Sequence, residues 1–225
     1  MKDIFLLDMD DTLLDFKRAE RENLLTTLRR CSIPVNEDTH PRFHEINDRL
    51  WKALERGEIT RERLLVRRFE LLLADMGRGE SAERVAKAYF DNFPFICFPY
   101  AGAVEFLAEL SRRGRVYIVT NGSAVIQNRH ITDAGFSPYL AGVFISEEVG
   151  ANKPSKAFAN AVAEGISGYQ KERAVWLGDS LTSDMGCAKA AEVDFVLFSP
   201  AGKPQDYDGL CAADYQEALD IFSRL

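Results

Sequence analysis

Two hydrophobic rhythms divide the chain. At its start Ile4-Phe5-Leu6-Leu7 is an unbroken apolar run, followed at once by Asp8, Asp10 and Asp11. A short continuous apolar run predicts a strand covered on both faces, as in a parallel sheet. From about Phe16 to Phe93 the rhythm changes to helical spacing: Leu24, Leu25 and Leu28; Phe43, Ile46, Leu50, Trp51 and Leu54; Leu65, Phe69, Leu72 and Leu73; Val85, Ala88 and Tyr89. Gly57 ends one of these helices and Thr60 caps the next, with Glu62 in its first turn, while Pro34 and Gly77-Arg78-Gly79 break others. This block predicts four or so helices and no strand. Phe93 to Pro99 carries two prolines and predicts an irregular linker.

Beyond the linker, strands and helices alternate. The pattern predicts a helix over Val104–Leu110, a strand over Arg115–Thr120, a helix over Ala124–Ala134 and a strand over Gly142–Ser146. A helix capped by Ser155 and running to about Glu164 follows, then a strand over Ala174–Gly178 and a helix to about Ala191. Phe195–Phe198 is the last clear strand and Tyr215–Leu225 the final helix. Such alternation predicts an α/β fold with right-handed crossovers. Residues 1–15 and 94–225 then form one core, and 16–93 a helical unit inserted after the first strand.

Composition narrows the function. The 225 residues are 46% hydrophobic, enough for one large domain or a core with a smaller unit. A net charge of −7 argues against a nucleic-acid partner and requires that an anionic substrate be drawn by local positive charge. Cys31, Cys97, Cys187 and Cys211 are far apart, which argues against zinc and reads as reduced cytosolic thiols. The start holds too short an apolar run for a secretory signal, and no run reaches membrane-spanning length. The expectation is a cytoplasmic protein with no membrane partner.

The candidate chemistry lies just past the strands. Asp8 and Asp10 follow the first, Thr120-Asn121-Gly122 ends the second, Lys153-Pro154 precedes a helix, and Gly178-Asp179-Ser180 with Asp184 ends the fourth. Open α/β sheets gather such positions at the carboxyl ends of their strands. Asp8, Asp10, Thr120, Asp179 and Asp184 therefore converge in one crevice with Lys153 entering from a loop, and crowded carboxylates there call for a cation.

The set Asp8-x-Asp10-x-Thr12, Thr120-Asn121-Gly122, Lys153-Pro154 and Gly178-Asp179-Ser180-x-x-x-Asp184 resembles the four motifs of the haloacid-dehalogenase-like (HAD) hydrolases. The resemblance covers essentially the whole chain and implies a Rossmann-like core with an inserted, mobile, all-helical cap of the C1 type, hinged at about Asp15–Arg18 and Phe90–Pro99. Within the family the chain is similar to the pyrimidine 5′-nucleotidase branch, on Asp8–Leu13, on Leu50-Trp51 with Gly57–Thr60 and Arg68-Phe69, and on Ile145–Gly150. Many relatives carry glycine where this chain has Asp11. Ala191-Glu192 and the tail Ser199–Pro204 depart from the branch pattern.

The resemblance implies a magnesium-dependent phosphomonoesterase. Asp8 is then the nucleophile that forms an aspartyl phosphate, and Asp10 the acid and base. Mg2+ is held by Asp8, the Asp10 carbonyl and Asp179, and Asp184 supports the metal shell or orients Lys153. Thr120, the Asn121 backbone and Lys153 bind the phosphoryl oxygens. The expected substrate is a small phosphate monoester, first a pyrimidine nucleoside 5′-monophosphate. The alternatives are a sugar or acyl-sugar phosphate, and a non-catalytic HAD-fold binding module. Dehalogenase relatives lack an acid at the position of Asp10, so that residue speaks against halide release.

Other residues read as structure. His40 and His44 are four apart, but Pro41 lies between them and no third ligand is evident. His130 reads as a surface helix residue, Trp51 and Phe69 as core rather than base-stacking residues, and Arg61, Arg63, Arg67 and Arg68 as a solvated basic face, the alternative being a cap edge that attracts nucleotide phosphate.

Overall fold

The computed structural model describes residues 2–225. The chain forms two compact units, Met1–Asp15 with Cys97–Leu225, and Phe16–Ile96. In the first unit, the strands β1 (Ile4–Leu7), β2 (Arg115–Thr120), β3 (Gly142–Ile145), β4 (Ala174–Gly178), β5 (Asp194–Phe198) and β6 (Leu210–Ala212) form one sheet. Its order is β3-β2-β1-β4-β5-β6 and every pair is parallel. This is the Rossmann-like order, with the first strand central. The helices of this unit are α5 (Ala103–Arg113), α6 (Ala124–Asp133), α7 (Ser146–Val149), α8 (Lys156–Gly165), α9 (Asp184–Ala191) and α10 (Tyr215–Phe222).

The uninterrupted apolar run of β1 is explained by cover on both sides. Phe5 and Leu7 pack in one cluster with Val116, Ile118, Val175 and Leu177, against Phe106 and Leu110 of α5 and Leu219 and Phe222 of α10. Ile4 and Leu6 point the other way, joining Tyr117, Val119 and Trp176 against Phe158 and Val162 of α8 and Cys187 and Ala188 of α9. Alternate residues of one strand thus feed two separate cores.

The expected elements are present, with differences at the edges. β6 was not expected: it is three residues long, paired only with β5, and its Leu210 is exposed, so no burial pattern marks it. Ser146, expected in a strand, instead starts the one-turn helix α7, which ends at Gly150 with φ +74°. His130 is not a surface residue; it is buried beside Ile131 on the inner stripe of α6.

The second unit contains α1 (Phe16–Arg30), α2 (Thr39–Glu55), α3 (Arg61–Asp75) and α4 (Ala82–Asn92), and among its described residues there is no strand. The Thr60 hydroxyl caps α3 by accepting from the Arg63 amide, and Ser81 does the same for α4 through Arg84. The linker expected to be irregular opens with a single 3-10 turn, Phe93–Phe95, where Pro94 sits at the start and its missing N–H costs nothing. Phe43, Phe69 and Tyr89 form a mutual aromatic contact with centroids 5.2–5.7 Å apart. Arg68 corrects the reading of a solvated basic face: its guanidinium is buried 4.7 Å from the Tyr89 ring and 5.3 Å from that of Phe69. Its neighbours Arg63 and Arg67 do lie outside, both paired to Glu70.

The start of β2 is fixed by a close approach. A Cβ at Gly114, the residue between α5 and β2, would lie 2.2 Å from the Asp3 carbonyl oxygen, main-chain atoms that cannot swing aside. Gly114→Ala should therefore lower stability by about 2–4 kcal/mol, measured by urea unfolding; an unchanged midpoint would mean that the β1–β2 junction yields freely.

Candidate active site

The site grows from the ladder of β1. Leu7 pairs with Ile118 on one side and Leu177 on the other. One step on, the Asp8 amide still donates to the Leu177 carbonyl at 2.9 Å, so the Asp8 side chain is fixed by the sheet itself. The chain then turns sharply: the Met9 carbonyl accepts from the amides of Leu13 and Leu14 at 2.8 and 2.9 Å. Asp11 occupies the crest of this turn at φ +59°. Aspartate tolerates the left-handed region, which glycine adopts freely. The turn brings the Thr12 hydroxyl back to donate to Asp8 Oδ2 at 3.0 Å.

Lys153 enters from the loop before α8 and is buried. Its ammonium donates to Asp8 Oδ1 at 2.6 Å, to Asp184 Oδ1 at 2.6 Å and to the Val119 carbonyl at 2.9 Å. All three of its donors are therefore used on the protein. Asn121 holds the loop in place by a two-point clamp: its side-chain oxygen accepts from the Lys153 amide at 2.8 Å and its Nδ2 donates to the Lys153 carbonyl at 3.1 Å. Burial alone would push the ammonium's pKa down, but the charges of Asp184 and Asp8 outweigh it and raise it, so Lys153 stays a cation.

Asp184 opens α9 and reaches back over the end of β4. A Cβ at Gly178 would lie 2.3 Å from its Cγ, so only glycine at the end of β4 leaves room for this carboxylate. The Ser180 amide donates to Asp184 Oδ2 at 3.1 Å. Asp8, Asp179 and Asp184 each bring a carboxylate oxygen within 4.8 Å of the others. This all-oxygen, anionic donor set suits a hard divalent cation such as magnesium.

Asp10 and Thr120 are joined through a residue that the motif pattern did not single out. Gln127 Nε2 donates to Asp10 Oδ2 at 2.8 Å and to the Thr120 hydroxyl at 2.9 Å. Gln127 is buried with His130, Ile131 and Ala134 at helical spacing, a polar side chain within an apolar stripe. That substitution in the periodicity is the signal by which the sequence could have revealed it. A second unforeseen contact is Glu147, whose carboxylate accepts from the Ala124 amide at 2.7 Å and the Ser123 hydroxyl at 3.1 Å, capping α6.

All seven expected site residues thus lie at the carboxyl edge of the sheet. Asp8, Lys153 and Asp184 are in direct contact, Asp179 completes the carboxylate group, Asn121 clamps the lysine loop, and Gln127 links Asp10 to Thr120. The carboxylates are electrostatically loaded. Burial, with the like charge of Asp8 behind it, pushes Asp10 up to about 7. Asp179, although its edge faces solvent, is raised by loss of surrounding water and then by the charges of Asp8 and Asp184, and Asp184 is raised by burial against the pull of Lys153.

A pH dependence of stability follows for chelator-treated protein. Between about pH 4 and pH 7 the folded state keeps a proton on Asp10 that the unfolded chain has released, so stability falls as pH rises through this window. One such proton gives a slope of at most about 1.4 kcal/mol per pH unit. Thermal melts from pH 4 to 8 should show a shallower fall for Asp10→Asn than for the parent; parallel profiles would mean that Asp10 titrates normally.

The model of the haloacid dehalogenase-like hydrolases matches residues 2–192. YfnB of Bacillus subtilis, described as a HAD-hydrolase, is 33% identical over 88% of this chain and 85% of its own length. Its crystal structure, bound to magnesium and described as revealing interdomain movement, superposes with a TM-score of 0.92 at 30% identity, covering 98% of each chain. The pyrimidine 5′-nucleotidase PynA of Streptococcus pneumoniae is 31% identical over 97% of this chain and 94% of its own, and the pyrimidine 5′-nucleotidase YjjG of Escherichia coli is 27% identical over 81% and 80%. With its motif residues gathered at one sheet edge and a family match across most of its length, the chain belongs to the haloacid dehalogenase-like hydrolases.

Proposed function

We propose that the chain is a magnesium-dependent phosphomonoesterase of nucleoside 5′-monophosphates, pyrimidine first, acting through an aspartyl phosphate. The observation that carries this reading is the contrast between two carboxylates. Asp8 is held at both oxygens, by Lys153 and by Thr12, at the end of a buried strand. Asp10, two residues on, has its pKa pushed up to about 7 and is anchored by Gln127. Two acids in such different surroundings suit two different roles, nucleophile and acid–base.

In the first step an Asp8 oxygen bonds to phosphorus as the ester P–O bond breaks, and the leaving alkoxide takes the proton of the Asp10 carboxyl. In the second, water gives a proton to the Asp10 carboxylate and attacks the phosphorus. The bond between phosphorus and the Asp8 oxygen then breaks, freeing inorganic phosphate and restoring Asp8. Near neutrality a group with a pKa of about 7 both gives and takes a proton readily. Thr120 and the Asn121 main chain would hold the phosphoryl oxygens, and Lys153, which sets the position of Asp8, would join them by exchanging one of its three protein contacts for a phosphoryl oxygen. Asp8, the Asp10 carbonyl and Asp179 would hold magnesium, with Asp184 behind them; when bound, it offsets phosphate charge and favours in-line displacement. The magnesium-bound YfnB and the two pyrimidine 5′-nucleotidases support the cofactor and the substrate class.

A panel of phosphate monoesters assayed with and without magnesium tests the substrate. Pyrimidine nucleoside 5′-monophosphates should give the highest kcat/KM. Sugar phosphates exceeding every nucleotide would move the assignment to sugar-phosphate hydrolysis, and no turnover of any ester would leave a binding module.

Asp10→Asn should separate the two steps. A nucleoside leaves as a poor alkoxide, so its first step should slow by about 10²–10⁴-fold, whereas p-nitrophenolate departs without a proton. Rapid-quench measurement with p-nitrophenyl phosphate should then show a burst near one equivalent and accumulation of phosphorylated Asp8. Equal first-step losses for both leaving groups, with no trapped phosphoenzyme, would remove Asp10 from the acid–base role.

A further inference from the structure

The helical unit contains a second group of metal-competent side chains that the hydrolytic chemistry does not use. Glu20 of α1 has a fully buried side chain, and one of its oxygens, Oε2, faces two imidazoles at once: His44 Nδ1 at 2.8 Å and His40 Nε2 at 3.3 Å. The three ligand atoms lie within 4.8 Å of one another. Sequence alone gave the two histidines without a third ligand; the third comes from another helix. Pro41 does not separate the pair, because it falls in the first turn of α2, where no amide is needed. His40 and His44 therefore sit one turn apart on the same face, with ring centroids 5.9 Å apart.

We infer that Glu20, His40 and His44 form a site for a zinc-class divalent transition metal that links α1 to α2. Three features favour a metal over a simple ion pair. First, the carboxylate is oriented from behind: Asn47 Nδ2 donates to Glu20 Oε1 at 2.7 Å, and the Asn47 oxygen accepts from buried Arg68 at 3.1 Å. Outer contacts of this kind hold metal-ligating carboxylates in place. Second, one protonated imidazole would already balance Glu20, yet two converge on the same oxygen. Third, the imidazole rim is open, with His40 19% and His44 40% exposed, so an ion has an entry path and further coordination positions. Ligand atoms about 2.0–2.1 Å from a tetrahedral ion lie roughly 3.3 Å apart, so only a small spreading of the present contacts is needed. The absence of cysteine pairs argued against zinc, but two imidazoles and a carboxylate form an accepted zinc donor set.

In the metal-free state a proton does part of this work. The hydrogen bond to Glu20 raises His44, against the effect of its burial and with Lys17 opposing and Asp48 assisting; Arg68 of α3 lies behind the carboxylate. Metal binding must displace that proton, so affinity should rise with pH through the histidine range.

The test uses full-length protein, stripped of metal, in an Asp179→Asn background that weakens the carboxylate group of the other unit. Co2+ titration should give d–d absorption saturating near one equivalent and abolished by Zn2+, and Zn2+ should raise the melting temperature. His44→Gln and His40→Gln, both at partly exposed positions, should each weaken binding by at least ~10-fold and remove the thermal shift, with circular dichroism confirming the fold. Absence of d–d bands in the parent, or equal affinity in the parent and both histidine variants, would overturn the site.

Discussion

The site depends on one buried cation. Lys153 bridges Asp8, which follows β1, and Asp184, which opens α9, two elements far apart in the chain. Burying an ammonium costs several kcal/mol unless paired carboxylates and further hydrogen bonds recover it. Here two carboxylates and the Val119 carbonyl do so, and the carboxylates are in turn made tolerable by the lysine. Much of the local architecture follows from this need. Gly178 is small because Asp184 must pass over it, and Asn121 clamps the main chain of Lys153 where the ammonium reaches both acids.

The two units handle buried charge in different ways. Next to the sheet, opposite charges meet directly. In the helical unit, Arg68 and Glu20 are both buried but do not touch; Asn47 stands between them, donating to the glutamate and accepting from the arginine. Aromatic faces of Phe43, Phe69 and Tyr89 cover the guanidinium. Such an amide relay fixes the orientation of the carboxylate without neutralising it, and leaves its other oxygen for the imidazoles.

How legible these features were depended on how local their cause is. β1 was readable because both faces are covered and four consecutive residues must be apolar. The capped helices α3 and α4 were readable because cap and stripe lie within a few residues. The acids were readable as a set because each follows a strand whose neighbours the alternation already implied, and Lys153 because it precedes a capped helix of the same alternation. Arg68 was misread because adjacency to Arg61, Arg63 and Arg67 in sequence says nothing about the face of the helix on which it lies. Gln127 and His130 were missed for the complementary reason, since a polar side chain on a buried stripe looks like a break in the pattern until its partners are known. Glu20 gained meaning only when α2 was folded against α1, a contact that no local pattern contains.

The Glu147 carboxylate at the start of α6 bears on how this fold treats anions. In dinucleotide-binding proteins of the same strand order, the helix after the first strand seats a pyrophosphate on its free N-terminal amides. In this chain the N-terminus of α6, the helix after β2, is occupied by the chain's own carboxylate, which takes the Ala124 amide and the Ser123 hydroxyl. Internal occupation of the helix end therefore ties α7 to the start of α6 without any external anion.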